Sequence, residues 1–79
     1  SSTKAKVTLT IPEDTDTVRE FIQKADPHYG YDHHDYTVEL DEHEIAKFLI
    51  TLTKHHIHYT QISIAKPTLE DYFLHMSQN

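Results

Sequence analysis

The apolar residues of this chain change spacing repeatedly, and that switching limits the folds open to it. Val7, Leu9 and Ile11 alternate with polar neighbours, the period of a half-buried strand. "PEDTDT" then supplies a turn and three possible helix caps, Asp14, Thr15 and Thr17. Val18, Phe21, Ile22 and Ala25 follow at helical spacing, and "DPHYG" ends that helix because the residue before Pro27 is pushed out of the helical region. A short aromatic "YGY" precedes Tyr36, Val38 and Leu40, which share one face of a strand. The two read as a hairpin turning at Asp32 to Asp35, without the Asn-Gly signature of a tight turn. Asp41 with Glu44 predicts a capping box, and Ile45, Phe48, Leu49 and Leu52 predict a second helix ending near "KHH". In "IHYTQISIA" the apolar positions change phase between Tyr59 and Ile62, which predicts a bulge near Thr60 and Gln61. Pro67 closes that segment. Thr68 is placed to cap a last helix, with Asp71 three residues on and Leu69, Tyr72, Phe73 and Met76 forming an apolar stripe.

The order is β-α-β-β-α-β with an additional C-terminal helix. That predicts an α+β fold, a ferredoxin-like βαββαβ sandwich, as one domain over residues 1–79. Right-handed crossovers let the first and last long strands lie side by side at the sheet centre, where their apolar faces would make the core. The terminal helix is then surplus, free to cap the sheet or reach another domain. A chain of 79 residues has one modest core and little room for a deep enclosed site. No run of 18 apolar residues is present to span a membrane. The opening "SSTKAKVTLT" lacks a signal-peptide core and reads like a cut in a longer chain.

Catalytic signatures are missing. Gly30 is the only glycine, so no glycine-rich phosphate loop or dinucleotide fingerprint can be built. There is no Gly-x-Ser-x-Gly elbow, and "HEIAKF" lacks the second histidine of a zinc-protease helix. With no cysteine, disulfides, zinc thiolates and thiol catalysis are excluded together. The fragment reads as a non-enzyme. A formal charge of −6 without a basic cluster argues against nucleic acid as a partner.

Eight histidines are the compositional oddity, and protonating all of them would carry the charge from −6 to +2. His28, His33, His34 and Asp35 gather around the hairpin, and His55, His56 and His58 follow the second helix. Imidazole and carboxylate suit zinc, nickel or copper. Neither cluster has the spacing that aims several side chains at one point, so polar loop histidines are the plainer reading and an acid sensor an alternative. Tyr29, Tyr31 and Tyr36 read as cross-strand packing, and Asp41, Glu42, Glu44, Glu70 and Asp71 as helix-start charges.

The ending "PTLEDYFLHM" resembles the Pro-(Ser/Thr)-Leu-Glu-(Asp/Glu)-x-Phe-Leu close of many bacterial ATP-binding cassette (ABC) transporter ATPase subunits of the exporter type. Pro67, Thr68, Leu69, Glu70, Asp71, Phe73 and Leu74 match, with Tyr72 at the variable place. In those subunits an accessory domain of about this length follows the nucleotide-binding domain. The element order is similar along essentially the whole chain, with Ile57 to Ile64 as the last strand, but only the final ten residues are specific. The histidine-rich hairpin and "KHHIH" depart from the pattern.

The resemblance implies an interaction module on the inner face of the cell membrane, in the cytoplasm. Its partners would be its own nucleotide-binding domain, a second ATPase subunit and a membrane permease. ATP and magnesium would be held upstream, with no cofactor in this fragment. Leu69, Phe73 and Leu74 would anchor the last helix on its own domain, Tyr72 and Met76 would be available for an edge contact, and Glu70 would serve as a first-turn charge or interdomain ion-pair partner. Two rivals stand beside it: a free-standing ferredoxin-like regulatory module binding a ligand or metal through its histidines, and a dimerisation module pairing through sheet edges.

Overall fold

A computed structural model describes residues 4–70 and residue 73. The elements are β1 (Lys4–Thr10), α1 (Asp16–Ala25), β2 (Gly30–Asp32), β3 (Asp35–Asp41), α2 (Ile45–Lys54) and β4 (Gln61–Ala65), with a 3-10 turn at Glu42–Glu44 leading into α2. They form a small α+β unit: a four-stranded sheet of order β2-β3-β1-β4, antiparallel throughout, with two helices against one face.

Strand alternation explains which face the helices cover. Ala5, Val7 and Leu9 of β1 and Tyr36, Val38 and Leu40 of β3 are buried, while Lys4, Lys6 and Glu39 between them stay exposed. Val18 and Ile22 from α1, and Phe48 and Leu52 from α2, close over that face and join one cluster with Ile11 and Ile57. The opposite face carries Thr8 against Thr37, 3.4 Å between hydroxyls, and Thr10 donating to Asp35 at 2.5 Å.

The ends of α1 follow local chemistry. Thr15 is the N-cap in use, its Oγ1 accepting from the Val18 amide at 3.2 Å. At the other end Asp26 takes an extended conformation ahead of Pro27, and its own amide donates to Ile22.

The close of α2 is a Schellman motif. The His56 amide donates to the Thr53 carbonyl and the Ile57 amide to the Leu52 carbonyl, both at 3.0 Å, with His56 left-handed at φ 58°. Buried Ile57 and Leu52 supply the accompanying apolar contact.

Three expectations are corrected, and one is sharpened. Asp41 occupies the N-cap position of the 3-10 turn but makes no side-chain capping bond, so the capping box does not form. The hairpin turns at Asp32 to Asp35 as expected, and it is a tight one without Asn-Gly: only His33 and His34 separate β2 from β3, at φ 47° and 70°, the backbone of a type I′ turn. The phase change in "IHYTQISIA" needs no bulge, because the strand starts at Gln61 after a bend at Thr60, and Ile57 and Tyr59 lie in the preceding loop. Finally, β1 and β4 are neighbours, but the central pair is β1 and β3. β4 sits at the edge, and all five of its residues are exposed.

Candidate functional site

The histidines among the described residues do not converge. His33 Nδ1 lies 2.5 Å from Asp32 Oδ1, the His34 ring meets the edge of Tyr31, and Asp35 is engaged by Thr10 on the other sheet face. The His28 backbone amide donates to Asp26 Oδ1 at 2.9 Å. His55 donates from Nδ1 to the Thr51 carbonyl at 2.9 Å and packs against Phe21. Among the described residues no group of three His, Asp or Glu is arranged to hold a metal. Three of the histidines serve the backbone instead. The non-glycine residues with left-handed φ among those described are His33, His34 and His56, while Gly30 lies in a strand. Histidine tolerates that region better than most side chains.

Beside His55, His56 and His58 a shallow concavity of about 150 Å³ runs to Glu13, Thr15 and Thr17 at the start of α1. It is open and mixed in polarity. No buried side-chain polar atom among the described residues lacks a hydrogen-bond partner.

Sequence reasoning missed one polar pair. Buried Tyr36 donates its hydroxyl to Asp14 Oδ1 at 2.9 Å, and Arg19 reaches the same carboxylate at 2.6 Å while also pairing with Asp16. Burial and then the adjacent carboxylate push the Tyr36 hydroxyl up to about 12. The Tyr36 hydrogen bond, with help from Arg19, holds Asp14 below the usual carboxylate value. The pair fixes the β1–α1 loop to β3. A tyrosine on the core face of β3, whose hydroxyl needs a partner when buried, is the only hint the sequence offers.

The apolar residues tell a different story at the sheet's end. Large hydrophobic side chains exposed among the described residues are Tyr31, Ile50, Ile62, Ile64, Leu69 and Phe73. Four of these six lie between residues 62 and 73. Ile62 faces Leu9 and Ile64 faces Val7 across the β1–β4 ladder, so both belong to the core face. Yet Ile62 is 39% and Ile64 51% exposed, whereas Leu9 and Val7 are fully buried. The helices cover β1 and β3 and stop short of β4.

Beyond β4, Leu69, Glu70 and Phe73 are helical. Leu69 is 77% and Phe73 65% exposed, where the resemblance implied anchors on their own domain. Glu70 is exposed at the helix start. Asp71, Tyr72, Leu74 and Met76 lie outside the described residues. No described helix is long and apolar enough to cross a membrane. What the arrangement offers chemically is apolar contact along an edge strand whose outer backbone pairs with no other described strand.

The chain matches no protein-family model, no curated protein and no solved structure.

Proposed function

We propose that the chain is a non-catalytic accessory domain from the C-terminal end of an ABC exporter ATPase subunit, ferredoxin-like in topology. The strand order β2-β3-β1-β4, with helices after β1 and β3, supports the topology. The single observation that carries an interaction role is the placement of exposed apolar residues. They concentrate from Ile62 to Phe73, leading into the stretch whose sequence resembles the exporter ending. Exposed large apolar side chains gathered in one stretch, unlike scattered ones, mark a contact surface.

On this reading the chemistry lies upstream. ATP and magnesium are held by the parent's phosphate loop, and this chain, with one glycine set in a strand, contributes no phosphate cradle. The β4 edge and the following helix face the nucleotide-binding domain, the second ATPase subunit or the permease, and the complex keeps the domain peripheral at the inner membrane face.

Reading the coding sequence in frame ahead of Ser1 tests this. The expected result is a Walker A motif, an ABC signature and a Walker B aspartate. An upstream frame without them ends the proposal. The rival reading, a ligand or metal held by histidines, has no convergent donor set among the described residues to favour it.

A further inference from the structure

We infer that β4 pairs edge to edge with β4 of a second copy of this chain, antiparallel and centred on Ser63. This rests on reading the 62–73 stretch as an interaction edge, but not on what the parent is.

Three observations point to a second copy. The first is the state of the edge. Natural sheets blunt their free edges with charges, prolines or bulges. β4 has none of these, since "QISIA" carries no charge and no proline, and its residues pair one to one with β1.

The second is charge. At −6, two copies repel each other across most of their surfaces. The stretch His55 to Ala65 is the longest in the chain without Asp, Glu, Lys or Arg, and β4 lies inside it. Two such chains meet with least repulsion there.

The third is register. Ile62 and Ile64 lie on the core face, and Ser63 lies on the other face opposite Thr8. Residues opposed across an antiparallel ladder point to the same side of the sheet. Centring the pair on Ser63 therefore sets Ile62 against Ile64 of the second copy, twice, and Ser63 against its own equivalent. A one-residue slip would set each isoleucine on the polar face of its neighbour. The centred register also uses all five residues of β4 and opposes no like charges. The result is one continuous sheet with a shared apolar strip.

A five-residue edge pair alone buries less than the roughly 1,000 Å² of a stable interface, so the association is weak in the isolated domain. A covalent trap reads it best. The chain has no cysteine, so Ser63→Cys introduces a unique thiol on the exposed polar face, and Glu20→Cys on α1 gives a matched control. Under mild oxidation S63C is expected to form disulfide-linked dimers at least about tenfold faster than E20C, because pairing raises the local thiol concentration. Adding Ile64→Glu should return S63C to the control rate. Should that charge unfold the domain, the β-branched Ile64→Thr keeps the strand and must also slow the reaction. Equal rates for S63C and E20C, or a rate unchanged by both Ile64 substitutions, would overturn the pairing. The upstream coding sequence decides the parent and the cross-link decides the occupant, so each can fail without the other.

Discussion

The two sides of the sheet are finished differently. On the β2 side the edge is closed. β2 is only three residues long, and beyond its end the Glu39 amide of β3 donates to Asp26 Oδ2 at 2.9 Å. The same carboxylate accepts from the His28 amide, so one side chain covers backbone that a longer strand would have paired. Tyr31 adds an edge-on contact to Tyr36 at 4.9 Å. On the β4 side no such device is present among the described residues. Ile62 and Ile64 continue the core face past the reach of the helices, and the exposed Lys66–Glu42 pair at 3.7 Å is too solvated to hold much. One edge is built to be left alone and the other to be covered.

Substitutions sharpen that contrast. The largest loss belongs to the core under the helices: Leu52→Ala is expected to cost about 2–5 kcal/mol in denaturant unfolding, since the site is fully buried. Asp26→Ala strips the closed edge and leaves the Glu39 and His28 amides without their acceptor. Both bonds are exposed and water can replace the carboxylate, so the cost should be about 0.5–1.5 kcal/mol, with faster hydrogen exchange at those two amides.

Tyr36 gives a pH signature on the same side. Its folded-state pKa is raised, so its contribution is complete below the unfolded value of about 10. That contribution fades as pH rises towards 12. Asp14 is the reverse case: its depressed pKa supports folding above the ordinary carboxylate range and is lost as acid protonates it. Tyr36→Phe should flatten the alkaline decline of the unfolding midpoint. A decline identical in the variant would assign it elsewhere. The smallest effect is a gain. His56→Gly relieves a left-handed side chain in the Schellman motif and should add up to about 1 kcal/mol.

Much of this was legible in residues alone. Six elements and their order follow from the switching of apolar spacing, and Val18, Ile22, Phe48 and Leu52 face the core as their helical periods require. The missed features are those that local pattern does not encode. Val7 with Leu9 and Ile62 with Ile64 alternate identically, and only strand order separates a buried pair from an exposed one. The histidines read as polar loop residues, but their backbone role was not legible, because ligand chemistry and left-handed backbone tolerance reside in the same side chain. His33, His34 and His56 are used for the second. The Tyr36–Asp14 bond joins residues 22 apart in sequence and has no motif.

Ile62 and Ile64 extend the core face but are only half buried on it. Chemical denaturation of the double variant Ile62→Ser, Ile64→Ser, at a protein concentration low enough to keep it monomeric, tests this most directly. The expected loss is about 2–3 kcal/mol for the two together, because each isoleucine keeps only about half of its burial. A loss of about 5 kcal/mol or more, the sum of two fully buried large-to-small substitutions, would make both isoleucines full core residues and contradict the contrast between the two edges.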